Sequence, residues 1–364
     1  MTKVILISQS PLPTSSIGSW TTLYKNYFDS AEHEIDYIIC KKPFIEFRTV
    51  KYRFLKENFI INLKNRLQKK SYLSCLEALK TLVNNDDKYI IQVIDNFKIM
   101  SQLEKVLKEK GIREKCIVQF FYHGFAPFLE NSKSTFFYHS IDEMIVLTND
   151  SYKVHKTYYN ELPCRFSVLH NGIDTKKFNK VSLKEKEILK EKFNLSGKTV
   201  FVWCSQDRPK KGLKLILDVW KKVYSTNSEV VLLVIGSSGE KTIEGVKFLG
   251  KIPNNDLPKY YQAADVYLFP TLWQEGFGLS LIEALHCGCY CIASALGGVP
   301  EVLQYGRLGK LIENPHFVKE WECAIGEYLN GNGDNYEIQG DLYSSNNWIL
   351  NMNDIIQNAK NRLI

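Results

Sequence analysis

Two doubly wound α/β domains are what this sequence predicts, and three observations predict them. Short apolar runs alternate with longer periodic segments along most of the chain, the pattern of parallel strands covered by helices on both faces. The alternation comes in two series, separated by a charged, proline-free stretch at 182–192 that is broken by Asn194 and Gly197. At 364 residues the chain also exceeds the about 250–300 residues at which a single core stops growing.

In the first series the runs at 3–8, 35–40, 89–94, 116–122, 144–148 and 166–169 read as buried strands, with helical periodicity at 73–82 and 99–110. The second series opens at 199–204 and continues through 230–235, 246–249, 266–269 and 290–293. The expected domains are residues 1–175 and 176–345, joined near 170–195, with a closing helix at 346–364 packing back on the first. For two such domains facing across a cleft, ligands are expected outside the carboxyl ends of the strands.

Composition narrows the class. A hydrophobic content of 45% with 24% charged residues is ordinary for a soluble globular chain. No stretch approaches the roughly 20 apolar residues of a spanning helix. Residues 1–8 read as a first strand rather than a leader, and the expected location is the cytoplasm. Nine scattered cysteines do not make a disulfide framework. Cys287, Cys289 and Cys291 alternate, without the usual two-residue ligand spacing, so they read as buried thiols.

The net charge of +7 is concentrated. Between 41 and 70 there are ten Lys/Arg against Glu46 and Glu57, a balance of +8, interleaved with Phe44, Phe47, Tyr52, Phe54 and Phe59. A basic, aromatic-rich amphipathic segment suits an anionic bilayer surface. No standard nucleic-acid motif is present, and no nucleic-acid partner is expected.

The most informative stretch is Glu275-Gly-Phe-Gly-Leu-Ser-Leu-Ile-Glu283, which follows the apolar run 266–269 and Pro270 and reads as strand, loop, helix. Gly276 and Gly278 permit a tight turn and close approach of the backbone to a ligand. A helix starting near Leu279 presents N–H groups and a positive dipole end to an anion. Two carboxylates beside an anion site do not bind phosphate, so their partners are hydroxyls. A nucleotide-sugar supplies both.

Four further motifs lie in register around that stretch. They are His170-Asn-Gly-Ile-Asp174, Ser205-Gln-Asp-Arg-Pro-Lys-Lys-Gly212, Gly250-Lys-Ile-Pro253 and Gly297-Gly-Val-Pro-Glu301. The succession resembles the retaining, nucleotide-sugar-dependent transferases of the GT-B fold, specifically glycosyltransferase family 4. The resemblance is strong over 170–309. In the first half it rests on the order of elements and on spots such as Gly18 and His123.

The resemblance implies roles. Glu283 accepts the ribose hydroxyls, a task for an acceptor-only ionised group, and Glu275 meets hydroxyls of the donor sugar. Backbone N–H groups around Gly276, Phe277, Gly278 and Leu279 hold the diphosphate, and Arg208 and Lys211 stabilise its departure, with Lys210 an alternative to Lys211. His123 binds the donor sugar or its leaving oxygen. Gly18 and Asn171 line the substrate, and the backbone near Ile252 reads the base, uracil before guanine. Where many family members carry Gly-Arg, this chain has Ser205-Gln206, with Arg208 nearby as a replacement; Tyr290 stands where a proline is usual. No Asp-x-Asp occurs, so no metal site and no cofactor are expected.

The expected activity is transfer of a hexose or N-acetylhexosamine from a UDP-sugar, less favourably a GDP-sugar, to a glycan or lipid-linked acceptor in surface polysaccharide, lipopolysaccharide or glycolipid synthesis. The enzyme would work peripherally at the inner face of the membrane. The alternative is an inactive GT-B-like scaffold that binds nucleotide without turnover.

Overall fold

The structure is a computed structural model and describes residues 1–14, 19–30, 32–55, 73–239, 242–332 and 337–363. It divides into two compact units, Met1–Asn171 with Asn346–Ile364, and Gly172–Ser345. The boundary falls at 171/172, where the sequence suggested 175/176, because residues after Asn171 are already stitched into the second unit. Ile173 donates its N–H to Tyr343 O (2.8 Å) and accepts from Ser345 N–H (2.7 Å). A Cβ on Gly172 would lie 2.7 Å from Ser344 O.

Among the described residues the first unit holds a seven-stranded parallel sheet. Its strands are β1 (Thr2–Ile7), β2 (Tyr37–Cys40), β3 (Lys51–Phe54), β4 (Lys88–Ile94), β5 (Cys116–Tyr122), β6 (Glu143–Val146) and β7 (Arg165–Val168), in the order β3-β2-β1-β4-β5-β6-β7. Alternate residues of β1 feed two cores. Ile5 and Ile7 pack with α2 (Leu73–Lys80) and α3 (Met100–Glu109), while Val4 and Leu6 pack with α1 (Ser19–Asp29) and the closing helix (Ser345–Arg362). That period of two is what makes a doubly covered sheet read as continuous apolar runs.

The closing helix is fixed by polar contacts as well as by Trp348, Met352 and Ile356. Tyr27 OH donates to Asn353 Oδ1 (2.5 Å), and Lys360 and Gln357 both reach Glu34. Arg362 pairs with the buried Glu143 carboxylate. Glu143 in turn ends a ladder across the sheet, accepting from Gln119 Nε2 (2.9 Å) and Ser167 Oγ (2.6 Å), with Gln92 donating to Gln119 (2.9 Å).

The second unit holds a six-stranded parallel sheet among the described residues. Here β8 (Thr199–Cys204), β9 (Val230–Ile235), β10 (Val246–Gly250), β11 (Val266–Phe269), β12 (Tyr290–Ser294) and β13 (Lys310–Ile312) take the order β10-β9-β8-β11-β12-β13. The charged stretch is a helix, Leu183–Lys192, opened by a capping box in which Ser182 and Glu185 satisfy each other's backbone N–H. Its Lys186 and Lys190 bond Asp265 at 2.8 and 2.9 Å.

Two edge strands, β3 and β13, were not anticipated. Lys51-Tyr-Arg-Phe54 alternates exposed and half-buried residues and carries two cations, the composition that protects a sheet edge. At three residues, β13 is too short to show a period. β3 also lies inside the basic segment expected at the membrane. Residues 56–70 of that segment, like Gly18, lie outside the described residues. In both sheets the order reverses beside the first strand of the unit, between β1 and β4 and between β8 and β11, which places the crevice at the carboxyl ends of those strands.

Candidate active site

In the second unit, the loop after β8 and the loop after β11 meet at that crevice through backbone contacts. A tight turn at Pro209–Lys211 closes on Gly212 in the left-handed region (φ 70°), where a Cβ would lie 1.9 Å from Pro270 O. Leu272 N–H donates to Lys210 O (2.8 Å), and Trp203 Nε1 donates to Lys211 O (3.1 Å). The Lys210 side chain is exposed, whereas Lys211 Nζ lies 2.5 Å from Glu275 Oε2 and 5.9 Å from the Phe269 ring centre. Of the two lysines weighed from the sequence, Lys211 is the one joined to Glu275. Arg208 is exposed on the same loop, and neighbouring Asp207 anchors that loop by accepting from Ser237 Oγ (2.6 Å).

Glu275 is held from behind by the Gly297-Gly298 motif. It bridges Gly297, whose φ of 70° and lack of a Cβ allow backbone contact, and it accepts from Gly298 N–H (2.8 Å). Gly276, Phe277 and Gly278 follow, all buried, and half-buried Leu279 begins the helix Leu279–His286. Gly278 at φ 88° turns the chain so that the first-turn N–H groups open the helix.

Glu283 sits one turn further on, with Lys177 and Asn254 facing it. Burial pushes its carboxyl up to about 8, against the opposing pull of Lys177 and the Asn254 hydrogen bond. Burial likewise lowers Lys177, whose Nζ bonds the Asn254 side chain and Asn255 Oδ1 (3.1 Å). Half-buried Ile252 belongs to the same loop as Asn254. Sequence reasoning missed Lys177 and Asn254. The only signals were their places beside two quoted motifs, three residues after Asp174 and directly after Pro253.

In the first unit, His123 directly follows β5 and meets Asp95, which directly follows β4. Trp20 stacks on the imidazole at 5.9 Å. Asn171 is buried and its Oδ1 has no partner among the described residues; with His123 and Tyr24 it lines a cavity of about 10 Å³. Asp95 was not anticipated.

A cavity of about 590 Å³ in the second unit lies elsewhere. Asp265 and Tyr290, at the starts of β11 and β12, line it with Lys180 and Cys287, and neither Lys211, Glu275 nor Glu283 does. Cys287, Cys289 and Cys291 are buried, and Cys289 Sγ donates to Tyr261 O (3.1 Å). Among the described residues no three His, Cys, Asp or Glu gather as a metal site, and no helix is long and apolar enough to cross a membrane.

Known proteins resemble this arrangement. The family description "Glycosyl transferases group 1" matches residues 185–340. A phosphatidyl-myo-inositol mannosyltransferase of Mycobacterium leprae (strain TN) is 32% identical over 124 residues, which is 32% of this chain and 33% of the relative. A D-inositol 3-phosphate glycosyltransferase of Mycobacteroides abscessus is 29% identical over 204 residues, 52% and 44% of the two chains. The matches thus span about a third to under half of these curated relatives. Among solved structures, sucrose-phosphate synthase from Thermosynechococcus elongatus superposes with a TM-score of 0.72 at 16% identity over all of both chains. Anabaena Alr3699/HepE in complex with UDP and glucose does so with 0.71 at 16% identity, covering 98% and 99%. The chain has the GT-B fold, and most of its second unit, residues 185–340, is similar to the glycosyl transferases group 1 family.

Proposed function

We propose that this protein moves a hexose or N-acetylhexosamine from a nucleoside-diphosphate sugar to a glycan or lipid-linked acceptor, with retention at the anomeric carbon and without a metal. One observation carries the reading: the Lys211–Glu275 pair stands beside a glycine-opened helix whose next turn bears Glu283. Glu283 takes the ribose hydroxyls and the helix N–H groups take the diphosphate. On donor binding, Lys211 turns from Glu275 to the phosphate, and Glu275 is freed for sugar hydroxyls. The bond from the anomeric carbon to the phosphate oxygen breaks, the acceptor oxygen bonds on the same face, and its proton passes to the leaving phosphate. Lys211 and Arg208 offset the charge that develops there.

The similarity to a phosphatidyl-myo-inositol mannosyltransferase favours a lipid-linked acceptor, and the UDP complex of the Anabaena neighbour favours a UDP-sugar. The first unit fits such an acceptor. Phe44 is 99% and Ile45 67% exposed, and Lys41, Lys42, Arg48 and Lys51, close by in sequence, are exposed too. Exposed apolar side chains in a stretch where cations outnumber the one carboxylate, Glu46, suit the surface of an anionic bilayer, consistent with a peripheral enzyme at the inner face of the membrane.

Calorimetric titration with UDP and GDP, repeated on Glu283→Ala, tests the donor site. Micromolar binding of one nucleotide, lost in the variant, is expected. Binding of neither would remove the transferase reading. Full turnover in excess chelator is expected of the metal-free mechanism, and its loss would refute that part alone.

A further inference from the structure

His123 is gripped at two points by one carboxylate. Its backbone N–H donates to Asp95 Oδ1 (2.9 Å), and its Nδ1 lies 2.9 Å from Asp95 Oδ2. Asp95 makes this grip from a left-handed backbone conformation (φ 50°), fixed by its own N–H donating to Phe121 O (2.9 Å). Left-handed aspartate is uncommon, and such conformations persist where the surroundings hold them. Trp20 stacks on the ring, and Nε2 has no hydrogen-bond partner among the described residues.

An ionised carboxylate only accepts hydrogen bonds, so the proton of the neutral ring belongs on Nδ1. Nε2 is then an acceptor. We propose that Asp95 is a positioning residue that holds His123 in the Nδ1–H tautomer and presents Nε2 as the acceptor for a substrate hydroxyl. This reverses the sense in which a neutral histidine would act as donor to that substrate. The substrate half of the proposal rests on the transferase reading; the Asp95–His123 pairing does not.

Asp95→Asn gives a sharp test because it preserves shape and inverts polarity. The backbone N–H of His123 always carries a proton and demands the amide oxygen. The amide NH₂ must then face Nδ1, which becomes an acceptor, and the ring proton moves to Nε2. Nitrogen-15 NMR of histidine-labelled protein reads the tautomer in alkaline buffer, where an imidazole is neutral, with His123→Gln assigning the resonance among the seven histidines. The Nδ1–H form is expected in the native protein and the Nε2–H form in Asp95→Asn. Turnover by Asp95→Asn should fall about ten- to a hundredfold, the range seen when the carboxylate orienting a metal-ligating histidine is lost, with UDP affinity unchanged. A native Nε2–H tautomer, or an inverted tautomer with undiminished turnover, would overturn the proposal. An inversion in a protein that never turns over would count against the transferase reading and leave the Asp95–His123 assignment standing.

Discussion

The candidate sites of the two units are built differently, as the different recognition tasks proposed for them would require. The second unit arranges a charged pair and a helix end through glycines: Gly212 and Gly297 let backbones touch, and Gly278 turns the chain through a left-handed conformation. The first unit orients one imidazole with one carboxylate and one indole. A diphosphate spreads charge over many oxygens and needs backbone N–H groups brought close, so its site leaves a trail of glycines. A single hydroxyl needs one oriented acceptor, and that leaves isolated residues with no spacing rule.

If charge at the leaving group is concentrated in the second unit, Lys211→Ala has the largest effect. Its kcat falls about a hundred- to a thousandfold, the usual cost of removing one preorganised stabilising group, as read by donor turnover. A loss below tenfold would break the contrast between the units. The first unit's weak point is structural. Arg362→Ala leaves the buried Glu143 without its cation, a loss of about 3 kcal/mol. In urea, an earlier transition of the first unit with that of the second unmoved is the expected result.

Glu283 sharpens the comparison through pH. If Glu283 takes the ribose hydroxyls as proposed, only its ionised form accepts both, so nucleotide affinity rises as pH passes about 8, and Glu283→Gln removes that rise. Stability runs the other way. A carboxyl that holds its proton more tightly folded than unfolded loses stability as pH climbs from the ordinary carboxylate range towards about 8. Glu283→Gln should therefore melt higher than the native protein near pH 8 while binding nucleotide poorly. The smallest effect is at the exposed tip of the first unit. Replacing Phe44 and Ile45 together by Ala lowers partition onto anionic vesicles about tenfold, and binding indifferent to vesicle charge or salt would remove the docking role.

Strand interiors were legible because burial on both faces leaves unbroken apolar runs: β8, β9 and β11 begin and end where the runs do. The edges β3 and β13 were not, since a protected edge looks polar and a three-residue strand has no period. Lys211, Glu275 and Glu283 could be singled out by motif, but the join of Lys211 to Glu275 needed the coordinates. Lys177, Asn254 and Asp95 left no such trace. Each gains its role only when the fold brings separate loops to one strand end, and spacing along the chain does not encode that meeting.

The closing helix has a consequence for how the molecule is made. It covers the Val4, Leu6, Tyr24 and Tyr27 face of the first sheet, yet the whole of Gly172–Ser345 is translated before it. A nascent first unit therefore waits on the ribosome with that apolar face open while its neighbour is synthesised and folds. Chains fold domain by domain as they emerge, so the unit that starts first finishes last. The interval is when a chaperone, or another copy of the chain, has access to that face.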